Sequence, residues 1–113
     1  MKIAVTSQNF RTITGHAGKT RRFLIYADNG QGKAVEVDRL DLPREMAMHE
    51  FRGNEHPLQV ADVLITAGCG EGFVRRMAAW GIQVLATRET DPQAAAQAVL
   101  EGRPLPPPEP HTH

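Results

Sequence analysis

The chain has 113 residues, which is enough for one domain with a single hydrophobic core. Its 13 basic and 13 acidic residues give zero net charge, and this balance argues against binding to nucleic acid or to an anionic membrane. No apolar run approaches the roughly 20 residues that span a bilayer, and a single cysteine excludes an internal disulfide. A strand pattern begins at the first residues and leaves no room for a signal peptide, so we expect a cytoplasmic protein.

The first part of the chain predicts three strands, at residues 2–6, 22–27 and 33–40. The loop over residues 7–20 is long for a compact domain, and long loops often carry function. An Asn-Gly pair at residues 29–30 predicts a hairpin turn before the third strand. The third strand alternates valine with acidic residues, which is typical of an edge strand with one solvated face.

The segment over residues 61–81 predicts a strand, a glycine turn and a helix, which together form half of a parallel α/β unit. The strand at 63–67 is apolar and β-branched, and apolar residues recur at helical spacing after the turn. In open α/β sheets, ligands bind beyond the carboxyl ends of the strands. We therefore expect any site to lie at this turn, which also holds Cys69, the single cysteine.

The last part of the chain predicts a strand at 82–86 and a helix at 94–100, which begins after a Thr-Asp-Pro N-cap and ends at Gly102. The proline-rich segment 104–113 is predicted to be a disordered tail. This gives one domain over residues 1–103, followed by the tail.

In this order, the elements predict an α/β fold with a mixed five-stranded sheet and helices on its faces. The strand order is 3-2-1-4-5, and the second strand is antiparallel to the others. The first and fourth strands are then parallel neighbours at the centre of the sheet. Their following loops, residues 7–20 and 68–72, open on the same side and bring His16 near Cys69.

Several catalytic patterns are incomplete in this chain. The dinucleotide-binding fingerprint needs a glycine where Phe73 lies, and the P-loop needs one at the position of Ile13. The first strand carries no acidic residue, which argues against two-metal nuclease chemistry. A helix N-terminus lowers the pKa of a thiol, so Cys69 is a candidate nucleophile, but no motif supplies its base. These observations predict a protein that is not an enzyme.

Metal or cluster binding is the remaining chemistry. Imidazole and thiolate groups suit iron and other transition metals, and His16, His49 and His56 lie in predicted loops or element ends. A preassembled iron–sulfur cofactor needs only one or two protein ligands, and its negative charge suits a glycine-rich helix N-terminus. Structural roles stay open for each histidine, for Cys69 as a packed apolar residue, and for the glycines as tight-turn residues.

Four segments form an ordered set that resembles one known family: Lys-Ile-Ala-Val-Thr-Ser at 2–7, Gly-His-Ala-Gly-Lys at 15–19, the strand and glycine turn at 62–72, and Trp-Gly-Ile-Gln-Val at 80–84. The family is that of the dinitrogenase iron–molybdenum cofactor biosynthesis proteins, which includes small cofactor carriers and NifX-like domains. The segment at 15–19 is similar to its His-Phe-Gly-Arg loop. The resemblance extends over residues 1–103.

This resemblance implies a ribonuclease H-like fold without nuclease activity. It also implies a protein of nitrogen fixation that binds the iron–molybdenum cofactor, or its iron–sulfur precursor, and passes it between cofactor-assembly proteins. His16 corresponds to the family's loop histidine and is implied as a cluster contact. Two positions depart from the family pattern, because Ala17 replaces an aromatic residue and Cys69 replaces an aliphatic one.

We therefore predict a non-enzymatic cluster carrier in which His16 and Cys69 are metal ligands. The further cofactor-binding residues predicted are Gly68, Gly70, Gly72, His49 and His56. The glycines of this set allow close approach of the backbone to the cluster. The alternative hypothesis is a metal-free protein-interaction or regulatory domain of the same fold.

Overall fold

The computed structural model describes residues 1–109, and its framework is one five-stranded mixed sheet. The strands are β1 (Lys2–Thr6), β2 (Arg22–Asp28), β3 (Ala34–Asp41), β4 (Val63–Thr66) and β5 (Gln83–Ala86). Their order in the sheet is β3-β2-β1-β4-β5, as the sequence predicted. β2 is antiparallel to β1 and β3, whereas β4 is parallel to β1 and β5.

Two helices, α1 (Glu71–Ala79) and α2 (Pro92–Leu100), follow β4 and β5. The Asp91 carboxylate accepts hydrogen bonds from the first free N–H groups of α2, and Pro92 fits the first turn because it has no N–H to satisfy. Gly102 ends α2 with a φ of 71°, a conformation that glycine adopts without steric cost. Neither helix has the length and apolar character needed to cross a membrane.

Alternate residues of the central strands pack against opposite faces of the sheet. The α1 face buries strand residues together with Phe73 and Met77; these strand residues are Ala4, Phe23, Ile25 and Leu64. The α2 face buries the intervening positions together with Ala95 and Ala96; these positions include Ile3, Val5, Leu24 and Ile65. Both faces are therefore covered, which explains why β1, β2 and β4 have apolar runs rather than an alternating pattern.

The prediction of one dry face for β3 is wrong at Val37, whose side chain is 51% exposed. The pairing register shifts within β2, so that Ile25 lies opposite Asp38 and Tyr26 lies opposite Glu36. Val37 is the extra residue of this β-bulge and has no partner position. A bulge in an edge strand also disrupts the regular row of N–H and C=O groups that would pair with another chain.

The segment predicted as a disordered tail contacts the domain over part of its length. The Thr87 hydroxyl donates to the Pro106 carbonyl at 2.6 Å, and the Arg88 N–H donates to the Pro107 carbonyl at 3.2 Å. Leu105 packs against the α2 face of the core. Proline has no N–H but keeps its carbonyl, so this extended chain can still accept hydrogen bonds.

Residues 105–107 therefore contact the domain, whereas their proline content alone predicts disorder. A division into a domain over 1–103 and a tail stays a prediction, and residues 110–113 lie outside the described residues.

Candidate functional site

A cleft of about 360 Å³ lies where the loop after β1 meets the turn after β4. Because these strands are parallel neighbours, their carboxyl ends meet at the same edge of the sheet. The residues that line the cleft are Gly15, His16, Ala17, Gly18, Lys19, His49, Ala67, Gly68, Cys69 and Gly70. The structure thus brings His16, Cys69, His49, Gly68 and Gly70 together at one place.

Two buried threonines at the ends of β1 and β4 connect the walls of the cleft. The hydroxyl oxygens of Thr6 and Thr66 lie 2.9 Å apart, and the Thr6 hydroxyl donates to the Thr14 carbonyl at 2.6 Å. The Thr66 hydroxyl lies 3.2 Å from the same carbonyl and accepts a hydrogen bond from the Gly68 N–H at 3.3 Å. Both threonine side chains are fully buried, so this network fixes the two loops relative to each other.

Backbone hydrogen bonds add to this connection. The Ala17 N–H donates to the Gly68 carbonyl at 3.2 Å, and the Ala67 N–H donates to the Thr14 carbonyl at 3.1 Å. Each bond joins the loop after β1 to the turn after β4. Backbone hydrogen bonds at the ends of the central strands therefore fix the walls of the cleft relative to each other.

His16 is exposed and has a left-handed backbone conformation, with φ 53° and ψ 52°. Residues other than glycine rarely adopt this region, and strain of this kind is often found at functional sites. The residue precedes a 3₁₀ turn at Ala17–Lys19, but its side chain makes no capping hydrogen bond to that turn. The imidazole of His16 therefore lies at the cleft and is not used to cap the turn.

Cys69 is half-buried and lies directly before Gly70, the N-cap residue of α1. Burial raises the pKa of its thiol, because the charged thiolate is poorly solvated there. This shift is opposite to the one that an activated nucleophile needs. A metal can still bind this sulfur by displacing its proton, as metal–thiolate bonds in proteins require.

The surroundings of the cleft are cationic. Lys19 lines it, and the described lining residues include no acidic side chain. A second pocket of about 350 Å³ shares Lys19 and His49 with the cleft and adds Arg21, Arg44 and Glu50. Lys19, Arg21 and Arg44 outnumber Glu50 around these two spaces, so the local charge is net positive and favours an anionic ligand.

Gly72 does not line the cleft with Gly68 and Gly70. It lies in a neighbouring groove together with His49, Met48 and Arg76. His49 therefore borders both spaces, whereas Gly72 lines only the second of the two. Of the three glycines predicted to allow close approach of a cluster, two line the cleft and Gly72 does not.

The structure does not bring His56, which was predicted as a cofactor contact, to the cleft. Its side chain is buried, with 6% exposed, and both ring nitrogens are used in hydrogen bonds. Nδ1 accepts from the Leu58 N–H at 3.0 Å, and Nε2 donates to the Met46 carbonyl at 2.7 Å. The ring also stacks on Trp80 with 5.7 Å between centroids. His56 is therefore a structural residue of the segment before β4.

A signal for this role was present in the sequence. His56 is the N-cap of a 3₁₀ turn at Pro57–Val60, and the Gln59 side chain accepts from its N–H to complete a capping box. Such a helix start typically has a polar N-cap residue, a proline at the next position and a glutamine three positions after the N-cap. Lys19 was not in the predicted set, although it lies in the segment at 15–19 that resembles the family's loop, because a single lysine in a loop does not by itself indicate a site.

The buried His56 predicts a loss of stability in acid. Burial lowers the pKa of this histidine, the Met46 hydrogen bond opposes that shift, and the nearby Arg76 charge adds to it. The unfolded chain therefore takes up a proton that the folded chain does not bind, and the free energy of unfolding falls as pH drops below about 6.5. Urea unfolding between about pH 7.5 and 5.5 measures this dependence.

A His56→Asn variant is the matched control, because asparagine keeps an N-cap acceptor and does not titrate in this range. We expect a smaller pH dependence in the variant than in the wild type. Equal slopes in the two proteins would show that other groups cause the acid sensitivity.

The fold and the cleft define a small α/β domain that can hold an anionic ligand between the loops of two parallel strands. A family model described as dinitrogenase iron–molybdenum cofactor matches residues 1–102. The chain therefore belongs to that family, in agreement with the resemblance of its motifs. Membership points to a role in the biosynthesis of the iron–molybdenum cofactor.

Solved structures that are similar to this chain include those of PH0822 and TM1290. The crystal structure of PH0822 has a TM-score of 0.69 and 18% identity, and the match covers 91% of this chain and 93% of PH0822. The NMR structure of TM1290 from Thermotoga, a candidate NifB protein of the DUF35 family, has a TM-score of 0.55 and 19% identity, over 90% of this chain and 89% of TM1290. Identities this low show a shared fold alone. No curated protein sequence matches the chain.

Proposed function

We propose that this protein is a non-enzymatic carrier, which binds an iron–molybdenum or iron–sulfur cluster in the cleft and passes it to cofactor-assembly proteins. The observation that supports this proposal is the presence of His16 and Cys69 in one cationic cleft. Imidazole and thiolate are iron ligands, and the cluster as cargo carries the negative charge that the surroundings favour. A cytoplasmic location goes with this proposal.

The small number of donor groups supports a preassembled cluster rather than a single ion. Within residues 1–109, no group of three or more His, Cys, Asp or Glu side chains is arranged to hold a metal ion. A closed mononuclear site needs about four protein ligands. A cluster arrives with its irons already bridged by sulfide, so one thiolate and one imidazole can hold it together with backbone N–H groups at the start of α1.

We also propose that the fold is ribonuclease H-like and that the protein has no nuclease activity. The strand order β3-β2-β1-β4-β5 with an antiparallel β2 supports the first part. The second part is supported by β1, in which no residue is acidic. Two-metal phosphoryl transfer needs paired carboxylates at that position.

Two measurements test the carrier function. Protein purified without oxygen should contain iron and sulfide, with or without molybdenum, or should gain visible cluster absorption after anaerobic reconstitution. The loaded protein should then lose that absorption when it is mixed with an apo-acceptor protein that gains it. Negligible metal content together with no uptake would contradict the proposal and would favour a metal-free interaction domain.

A further inference from the structure

Arg76 connects α1 to the segment over residues 47–51, which we call the His49 segment. Its Nη1 donates to the Met48 carbonyl at 2.8 Å, and its Nη2 donates to the Phe51 carbonyl at 2.7 Å. The guanidinium also lies over the Phe51 ring, 5.4 Å from its centroid. Because the two donors belong to one planar group, they fix the segment on both sides of His49.

The His49 segment is also attached to the loop after β1. The His49 N–H donates to the Gly18 carbonyl at 2.7 Å. His49 is exposed and lines the cleft, whereas Arg76 lines the neighbouring groove and not the cleft. Arg76 can therefore influence a ligand in the cleft through His49 without touching that ligand.

We propose that Arg76 is a positioning residue, which holds His49 as a further contact for the cluster. This inference rests on the proposed carrier function. A segment of irregular backbone loses conformational entropy when a ligand orders it, and a segment that is already fixed does not. By bridging two carbonyls, Arg76 orders the His49 segment before the cluster binds.

Amide hydrogen exchange tests the positioning without any cluster. The His49 N–H should exchange at least about tenfold faster in an Arg76→Gln variant than in the wild type, while the amides of β1 and β4 keep their protection. An Arg75→Gln variant is the matched control, because Arg75 is exposed and, within residues 1–109, makes only a long ion pair with Glu71 at 3.9 Å. Unchanged exchange at His49 in Arg76→Gln would overturn the inference.

A double-mutant cycle tests the link to the cluster, with a chemically reconstituted iron–sulfur cluster as the probe. Arg76→Gln should weaken cluster retention about tenfold in the wild-type background and have no further effect in a His49→Ala background. Equal losses in both backgrounds would show a general structural effect and overturn the inference. If the wild type took up no cluster, the proposed function would fail, and with it the role of His49 as a contact, while the exchange experiment would still decide whether Arg76 fixes the segment.

Discussion

His16→Asn and Cys69→Ser variants should each retain a reconstituted iron–sulfur cluster at least about tenfold less well than the wild type. The reason is that the two side chains supply the imidazole and the thiolate of the cleft. Visible absorption of the cluster after anaerobic desalting measures retention. These two variants have the largest expected effect on function, because each removes a predicted metal ligand and leaves the fold intact.

The choice of substitutions separates ligand loss from misfolding. Asparagine tolerates the left-handed backbone of residue 16 better than most residues, so His16→Asn removes the imidazole without adding strain. Serine keeps the size of the half-buried Cys69 and is a poor ligand for iron. Unchanged retention in both variants would remove these residues from the site, even if the protein binds a cluster elsewhere.

A Thr66→Val variant should lower the free energy of unfolding by about 1–3 kcal/mol. Valine has nearly the shape of threonine, but it lacks the hydroxyl that contacts Thr6, Thr14 and Gly68. The Gly68 N–H would lose its partner, and the buried network that connects the two loops would be incomplete. Urea denaturation at neutral pH measures the change.

Thr90→Val is the matched control for this substitution. Thr90 is exposed, and its hydroxyl makes no hydrogen bond within residues 1–109. We expect its unfolding free energy to stay within about 0.5 kcal/mol of the wild type. If Thr66→Val were as stable as Thr90→Val, the threonine network would not be what holds the walls of the cleft.

The sheet could be predicted from the sequence because its central strands are covered on both sides. Short apolar runs bounded by turn residues, such as residues 3–5 and 63–65, are typical of strands that are buried on both faces. Connection lengths then leave few possible strand orders. The parallel pairing of β1 and β4 followed from these rules, and it also led to the expectation that His16 lies near Cys69.

Features that depend on pairing register or on irregular segments were not predicted. The bulge at Val37 is a shift in the pairing register between β3 and β2, and the local alternation of β3 does not reveal it. The hydrogen bonds of His56 reach Met46, which lies ten residues away in a segment with little regular structure. The tail contact at Thr87 depends on a proline carbonyl, whereas proline content is usually taken to indicate disorder.

Only part of the site could be predicted, again because the sequence shows strand topology but not contacts with irregular segments. Strand topology located the cleft and two of its walls, so Gly68, Gly70 and Cys69 were in the predicted set. His49 was also in the predicted set because of its residue type, but the sequence did not show what holds its segment beside the cleft, which is the contact of Arg76, far away in the chain, with two carbonyl groups. Contacts between a side chain and a distant backbone carbonyl leave no pattern in the sequence.

The most direct test of the proposed carrier function is a measurement that locates the bound cluster on the protein. NMR spectra of ¹⁵N-labelled protein, loaded with a paramagnetic iron–sulfur cluster, locate it because nearby amide signals broaden. We expect the signals of residues 15–19 and 67–70 to broaden strongly, while those of the hairpin at 28–33, at the other end of β2, stay sharp. Broadening centred on the hairpin, or sharp signals at both loops in a loaded sample, would contradict binding in the cleft.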